Sequence, residues 1–338
     1  QAELDAMQAK YEEAMAHKKV LEDDADATQR KMDAANKLIN GLSGERKRWG
    51  EQSEAFADEI KRLAGDVALA CAFIGYVGPF NAPFRTMLQT ERFYSDCISR
   101  GVPVTEGLRV STFLVDEGTI GDWTLEGLPT DELSVQNGIM VTRSQKWPLM
   151  IDPQSQGLSW IKAREASRGL KVTNLMEKRF RNNLEDSMAF GTPLLVEDVN
   201  EDIDPVLDPV FNKEIQRKGR NLIIQLADKE CEYSESFTLF LCSKLSNPHF
   251  TPELFAQLTV INFTVTMDGL EQQPLGRVIQ KERAELEEQK QRLTEEVNTN
   301  RKTLKQLESD LLNRLANSTG NLLEDIELIE VLQKTKTT

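Results

Sequence analysis

The stretch Gly191-Thr-Pro-Leu-Leu-Val-Glu-Asp-Val199 is a short apolar run that ends in two acids. A run of this length is typical of a strand buried on both faces, as in a parallel sheet. Similar runs alternate with helical stretches between residues 63 and 280, where Gly and Pro become frequent. The candidate strands are Trp147–Ile151, Pro193–Val196, Leu222–Leu226, Phe237–Cys242 and Leu258–Val265. The candidate helices are Asp66–Tyr76, Ala82–Ser99, Ser134–Thr142, Leu158–Glu165, Glu177–Phe190 and Asp208–Lys218. This alternation predicts an α/β fold in which helices cover both faces of a parallel sheet.

Residues 1–62 form a separate segment that we predict to be one helix, because no Pro occurs before Pro79 and no Gly before Gly41. Alternating steps of three and four residues meet mostly apolar or small side chains, which indicates a coiled-coil seam. The large apolar members of this N-terminal seam are Leu4, Met7, Tyr11, Leu21, Met32, Ile39 and Leu42. Ala, Thr and Lys18 occupy other seam positions, so the seam is weak, and we hypothesise that it slides rather than locks. Its partner must lie elsewhere in the parent chain or in a second copy; an ordinary amphipathic helix is the alternative.

Residues 281–338 return to a charged helical pattern. Steps of three and four again connect apolar side chains, with Asn300 at a position that would help to set the register. The members are Leu286, Lys290, Leu293, Val297, Asn300, Leu304, Leu307 and Leu311. The cluster Ser318-Thr-Gly-Asn321 predicts the end of this helix, and a second helix is expected from Leu322. The chain starts and stops inside helical patterns, so we expect it to be a piece of a longer protein.

Composition limits the partners and the chemistry of the chain. Its 338 residues carry a formal net charge of −14, which disfavours nucleic acid and anionic membranes as partners. We find no signal peptide and no apolar run of about 18 residues. The four cysteines are far apart and form no CxxC pair, which is typical of buried or half-buried thiols in a reducing compartment.

No metal centre or catalytic triad is expected. The only histidines are His17, on the N-terminal helix, and His249, in a predicted loop. An acidic cluster at Asp202, Asp204 and Asp208 lacks the glycine and the final glutamate of a calcium loop, and prolines interrupt it.

Several motifs together resemble the dynein heavy chains. They are Leu38-Ile-Asn-Gly-Leu-Ser-Gly-Glu-Arg-Lys-Arg-Trp49, Phe73-Ile-Gly-Tyr-Val-Gly-Pro-Phe80, Gly127-Leu-Pro-Thr-Asp-Glu-Leu-Ser-Val-Gln-Asn-Gly138, Trp147-Pro-Leu-Met-Ile-Asp-Pro-Gln154, Asn247-Pro-His-Phe250 and Gly320-Asn-Leu-Leu-Glu-Asp325. Asp228-Lys-Glu-Cys231 and Thr264-Val-Thr-Met-Asp-Gly-Leu-Glu271 are similar to axonemal chains, and the resemblance leans toward the outer-arm type.

The resemblance implies a domain plan and a set of partners. Residues 1–62 would be the returning helix of the stalk coiled coil. Residues 63–280 would be the large subdomain of the fifth AAA+ module, and residues 281–338 the start of the small subdomain and the strut, or buttress. The implied parent is an ATP-driven, minus-end-directed microtubule motor of cilia and flagella, with ATP and Mg²⁺ bound in other modules. Its implied partners are neighbouring modules, the outgoing stalk helix, the microtubule and other dynein chains.

The nucleotide pocket of this module is predicted to be vestigial. An active P-loop has the pattern GxxxxGK[ST], in which backbone N–H groups and the lysine bind phosphates. Aligning Gly127 with the first glycine puts Glu132 at the second glycine, Leu133 at the lysine and Ser134 at the hydroxyl. A carboxylate facing a polyphosphate, with no lysine, opposes binding. We therefore expect no cofactor and no catalytic residue in this segment.

Four further residues complete the predicted pocket. Glu197 and Asp198 end a strand that resembles a Walker-B strand, in inverted order, and as an alternative they serve as helix caps or ion-pair partners. Lys244 and Asn247 follow the strand where a γ-phosphate sensor would lie, and otherwise tie adjacent loops together.

These features predict a structural module that relays ATP-driven ring movement through strut and stalk to the microtubule-binding tip. The alternatives are a regulatory ATP-binding module and a free-standing coiled-coil adaptor. Nucleotide binding tests the first alternative, and the size of the isolated chain tests the second.

Overall fold

The computed structural model describes residues 2–317, without the side chains of some residues in the terminal helices. Leu4 and Leu42 are among those side chains, and the helix predicted from Leu322 also lies outside the described residues. The helices are α1 Ala2–Tyr76, α2 Ala82–Met87, α3 Ser95–Ser99, α4 Val110–Leu114, α5 Glu117–Leu125, α6 Glu132–Arg143, α7 Gln156–Glu165, α8 Phe180–Phe190, α9 Asp208–Phe211, α10 Pro252–Gln257, α11 Met267–Glu282 and α12 Ala284–Asn317. A π-helical segment, Leu88–Tyr94, joins α2 to α3, and short 3₁₀ turns cover Ala166–Arg168 and Pro205–Leu207. The strands are β1 Pro148–Ile151, β2 Lys171–Asn174, β3 Leu194–Glu197, β4 Gln216–Lys218, β5 Asn221–Leu226, β6 Lys229–Tyr233, β7 Leu239–Ser243 and β8 Thr259–Asn262.

A five-stranded parallel sheet, in the order β2-β3-β7-β1-β8, forms the centre of the α/β part. Successive side chains of a strand point to opposite faces, and both faces are apolar here. Leu149 and Ile151 of β1 join one core cluster, whereas Met150 joins the other. Helices α8 and α10 contribute to the first cluster, and α1, α6 and α7 contribute to the second. The prediction of a parallel sheet covered on both faces by helices is confirmed.

A second sheet departs from the prediction. Residues 222–226 were expected in the parallel sheet, but they lie in β5, the middle strand of an antiparallel sheet with the order β4-β5-β6. Ile224 is buried while Gln225 is exposed, an alternation typical of an antiparallel strand with one wet face. The predicted helix Asp208–Lys218 was also wrong beyond Phe211, because the chain turns at Lys213, where φ is +53°, and enters β4.

Helix α1 continues through the point where the first helix was predicted to end near residue 62. Gly65 lies within this helix, at a point where another part of the chain approaches too closely for a side chain. A Cβ at Gly65 would lie 2.3 Å from the carbonyl oxygen of Pro103. The helices α4, α5, α10 and α11 and the strands β2, β4 and β6 were not predicted.

The chain divides into two compact units. One comprises Glu59–Asn298 and contains both sheets. The other unit consists of the N-terminal helix up to Asp58 and of the part of α12 that begins at Thr299. None of the described helices is long and apolar enough to cross a membrane.

Candidate functional site at the carboxyl ends of the parallel strands

The carboxyl ends of β1, β3 and β7 meet at one edge of the parallel sheet, which is where open α/β sheets bind ligands. Asp152 follows β1 directly, Glu197 ends β3 and Asp198 follows it, and Lys244 follows β7. The main-chain N–H of Asp152 donates to the carbonyl oxygen of Ser243 at 2.8 Å, which joins two of these strand ends. This edge therefore combines acids, a lysine and a loop that enters a helix.

The predicted P-loop at Gly127–Ser134 lies in a different structural context. A P-loop joins a strand to a helix, whereas this segment joins α5 to α6. Gly127 adopts a φ of +102° in the turn, and Asp131 caps α6 by accepting the N–H of Ser134 at 3.1 Å. Leu133 and Ser134 are buried in the packing of α6, and Glu132 accepts a hydrogen bond from Gln136 on the same helix. The alignment of this segment with a P-loop therefore lacks the required structural context.

The strand-loop-helix context belongs instead to Asp152-Pro-Gln-Ser-Gln-Gly-Leu-Ser159, between β1 and α7. Gly157 and Ser159 match the second glycine and the hydroxyl of GxxxxGK[ST], but Asp152 replaces the first glycine and Leu158 the lysine. A strand followed at fixed spacing by Gly and Ser is the signal that could have found this loop from sequence. We call residues 152–159 the β1–α7 loop.

The β1–α7 loop is closed by its own hydrogen bonds. Oδ1 and Oδ2 of Asp152 accept the N–H groups of Gln156 and Leu158, each at 2.9 Å. The Ser159 hydroxyl donates to the carbonyl oxygen of Ser155 at 2.7 Å, and Ser155 has a left-handed φ of +58°. A Cβ on Gly157 would lie 2.8 Å from the ring of Phe263, so only glycine fits without displacement at this position.

Burial raises the pKa of Asp152, and hydrogen bonds from Leu158 and Gln156 oppose that rise. The neighbouring Cys242 is buried, and burial together with the nearby carboxylates raises the pKa of its thiol far above the ordinary range. A thiol in this state is not a nucleophile at neutral pH.

The two acids of β3 form ion pairs with lysines. Nζ of Lys162, on α7, lies 2.6 Å from Oε1 of Glu197. Nζ of Lys244 lies 2.8 Å from Oδ1 of Asp198, which has a φ of +54°, and the hydrogen bond with Asp198 raises the pKa of Lys244. Lys244 therefore ties the loop after β7 to the end of β3, whereas Asn247 is exposed farther along the same loop.

The side chains of the N-terminal seam that the structure describes are exposed: Met7, Tyr11, Leu21, Met32 and Ile39. Farther along the same compact unit, Arg48 of α1 contacts α12, where its Nη1 lies 2.9 Å from Oε1 of Glu308. Leu307 and Leu311 of α12 are 8% and 1% exposed. Leu286, Leu293 and Val297 of the C-terminal pattern are exposed, and Asn300, predicted at a core position, is exposed as well.

No group of three or more His, Cys, Asp or Glu side chains within the described residues is arranged to hold a metal ion. His17 and His249 are both exposed.

Known proteins match the chain over most of its length. The family model of the ATP-binding dynein motor region matches residues 121–338, and that of the microtubule-binding stalk of the dynein motor matches residues 1–98. The chain belongs to the dynein heavy chains. Its dynein relatives include the gamma chain of the flagellar outer arm of Chlamydomonas reinhardtii, 56% identical over 305 residues, or 90% of this chain. Dynein axonemal heavy chain 8 of Homo sapiens is 48% identical over 325 residues, or 96% of this chain. The beta chain of the Chlamydomonas reinhardtii flagellar outer arm is 47% identical over 314 residues, or 93% of this chain. This dynein chain spans 7% of the length of each of these relatives.

Proposed function

We propose that this chain is the part of an axonemal dynein heavy chain that transmits movement between the ATPase ring and the stalk without hydrolysing ATP itself. The parent protein would be an ATP-driven, minus-end-directed microtubule motor of the ciliary or flagellar axoneme, within the cytoskeleton. Two features of the chain support a transmitting role. One is the β1–α7 loop, which has the position of a P-loop but not its chemistry. The other is the contact between α1 and α12.

The substitution of Leu158 for the lysine carries the nucleotide-free part of the proposal. A P-loop lysine neutralises the charge of the β- and γ-phosphates, whereas the Leu158 side chain is apolar and buried. The nearest acids add negative charge, and the lysines at this edge, Lys162 and Lys244, already pair with them. A polyphosphate at this edge would therefore meet carboxylates without an uncommitted P-loop cation, which is repulsive in a partly desolvated site.

Calorimetric titration of ATP with Mg²⁺, and separately of ADP, into this chain tests the nucleotide-free part. We expect no detectable heat at hundreds of micromolar nucleotide, about the range that calorimetry resolves for weak sites. Micromolar binding would overturn this part and favour a regulatory ATP-binding module, which the description of the matching family as ATP-binding also suggests.

The transmitting role rests on the contact between α1 and α12. The family match assigns residues 1–98 to the stalk model, and α12 contacts α1 through Arg48 and Glu308. Leu307 and Leu311, which flank Glu308 on α12, are also buried. We propose that α12 is the start of the strut and that movement of the ring reaches the stalk through this contact. The exposed N-terminal seam would then pair with the outgoing stalk helix.

Charge reversal across this contact tests the transmitting role in the complete motor. Arg48→Glu or Glu308→Arg should reduce the change in microtubule affinity between the nucleotide-free and ATP states, and the double variant should restore part of it. We expect the electrostatic effect to be modest, about 0.2–1 kcal/mol, because both side chains are partly exposed. Lys47→Glu is the matched control, since Lys47 pairs with Glu51 on its own helix. Unchanged coupling in both single variants would refute the role of this contact.

Size measurement of the chain tests the remaining alternative. A free-standing coiled-coil adaptor would dimerise through the N-terminal seam, whereas a helix that pairs with another part of its own heavy chain leaves this chain monomeric. We expect a monomer in analytical ultracentrifugation, and a tight dimer would favour the adaptor.

A further inference from the structure

The carboxylate of Asp152 lies in the β1–α7 loop, which joins a parallel strand to a helix as a P-loop does. It is fully buried, and its two oxygens accept the N–H groups of Gln156 and Leu158, at the first turn of α7. The main-chain bond from Asp152 to Ser243 holds its backbone against β7. The side chain is therefore directed into the loop by the sheet on one side and by α7 on the other.

Main-chain N–H groups at the start of a helix after a parallel strand bind anions well, because they are unpaired within the helix and carry partial positive charge. Here these N–H groups already bind an anion, because the Asp152 carboxylate accepts those of Gln156 and Leu158. A carboxylate offers two charged oxygens that accept such N–H groups as phosphate oxygens do. The anion comes from residue 152, the position of the first glycine in an active P-loop.

We propose that Asp152 acts as a built-in substitute for phosphate, filling an anion cradle formed by the main-chain N–H groups of Gln156 and Leu158. The proposal rests on the nucleotide-free function proposed above and supplies a physical cause for it. Even if a cation replaced Leu158, the donors that hold a phosphate would already be occupied. The same contact would hold the β1–α7 loop in one conformation while other modules cycle. The ligand class that Asp152 excludes is a phosphate or pyrophosphate group.

Removal of the carboxylate should make the cradle available. The test is made in a Leu158→Lys background, which supplies the cation that an active P-loop has. In this background we expect Asp152→Ala to bind inorganic pyrophosphate, detected by calorimetry and by ³¹P chemical shift, while Leu158→Lys alone does not. Asp152→Asn should not bind it, because the amide still fills the cradle. Asp66→Ala is the matched control, since Asp66 is also a buried aspartate that accepts a main-chain N–H, that of Thr105 at 2.8 Å. It changes the net charge by the same amount at a different place and should not bind pyrophosphate.

Amide hydrogen exchange gives a second readout that needs no ligand. Asn has one acceptor oxygen where Asp has two, so in Asp152→Asn one of the Gln156 and Leu158 amides should exchange about tenfold faster or more. This measurement decides the proposal if Asp152→Ala does not fold.

The outcomes separate this proposal from the proposed function. Pyrophosphate binding in the Leu158→Lys background by Asp152→Ala, and by none of the other variants, supports the built-in anion. No binding by folded Asp152→Ala, or unchanged exchange of both amides in Asp152→Asn, overturns it while the chain can remain nucleotide-free for lack of a lysine. Equal binding by Asp66→Ala would assign the effect to net charge and also overturns it. Micromolar ATP binding by the unmodified chain would instead refute the proposed function.

Discussion

Replacing Arg85 by Lys should destabilise this chain more than replacing it by Met, although Lys preserves the charge. The Arg85 side chain, on α2, is 1% exposed. Its Nε donates to the carbonyl oxygen of Phe80 and its Nη2 to that of Gly78, each at 2.8 Å. The carbonyl oxygen of Asn262, at the end of β8, lies 3.5 Å from the same Nη2. These acceptors are neutral carbonyls, so the hydrogen bonds and not a carboxylate compensate the buried cation.

The magnitudes follow from the burial and from these bonds. Burial lowers the pKa of Arg85 to about 9, which corresponds to about 5 kcal/mol of burial cost for the cation. Each charge-assisted hydrogen bond contributes about 1.5–3 kcal/mol, so the two short bonds roughly offset that cost. Replacement by Met removes both hydrogen bonds and also the cost of burying a cation. It leaves the Phe80 carbonyl without its side-chain donor, so we expect the free energy of unfolding to fall by about 1–2 kcal/mol. Replacement by Lys keeps a buried cation but lacks the planar guanidinium that makes both hydrogen bonds. We therefore expect the free energy of unfolding to fall by about 3–4 kcal/mol.

Urea denaturation followed by tryptophan fluorescence measures this difference. Trp123, Trp147 and Trp160 are buried in the same compact unit as Arg85, so their emission reports its unfolding. The midpoint should be lowest for Arg85→Lys, with similar slopes in all variants. Arg100→Lys is the control, because Arg100 is exposed and pairs with Asp96 one turn earlier; it should shift stability by less than about 0.5 kcal/mol. A midpoint for Arg85→Met at or below that of Arg85→Lys would refute the claim that the burial cost of the cation decides the order.

Two further predictions use features of the same unit. Gly78→Ala should lower the free energy of unfolding by about 2 kcal/mol or more, because its Cβ would lie 2.3 Å from the carbonyl oxygen of Val260. Gly75→Ala, in open space on α1, should raise the free energy of unfolding by up to about 1 kcal/mol. If both glycine variants have the same free energy of unfolding in urea denaturation, the close approach to Val260 does not determine the effect of Gly78→Ala. A thiol reagent at pH 8 should label the exposed Cys71 in the folded chain, whereas Cys242 should react only after unfolding, because burial raises the pKa of its thiol and so lowers its thiolate fraction. Labelling of Cys242 at the rate of Cys71 would contradict this burial.

The parallel sheet could be predicted because most of its strands, such as β1 and β7, consist almost entirely of apolar residues. β1 and β7 are buried along their whole length, and this pattern can be read without knowledge of the neighbours. β2, Lys171–Asn174, was missed because three of its four residues are polar and only Thr173 is buried. The antiparallel sheet left a weaker signal, namely two short turns at Gly219-Arg220 and Ala227-Asp228, which a hairpin search could have used.

The pocket was harder to predict than the fold. The segment from Gly127 to Ser134 has the spacing of a P-loop at its first and last positions, but spacing does not reveal that a helix rather than a strand precedes it. In the β1–α7 loop the first glycine is replaced by Asp152, which hides the motif from a search that starts at glycine. Contacts such as Arg85 with Gly78 and Asn262 depend on the approach of distant segments, and no local pattern of side chains indicates them.

The charges at the carboxyl edge of the sheet explain how this module can keep its fold without a nucleotide. In an active module, the phosphates and a metal ion balance the charges at this edge. Here Asp152 is balanced by main-chain N–H groups, Glu197 by Lys162, and Asp198 by Lys244. If an acid at this partly buried edge had no such partner, burial would raise its pKa or the fold would lose stability. The partners that replace a ligand thus come from three different elements, α7, the β1–α7 loop and the segment after β7. Because each of these contacts joins a strand end to another element, the balancing of charge also ties the edge together, as the proposed transmitting role requires.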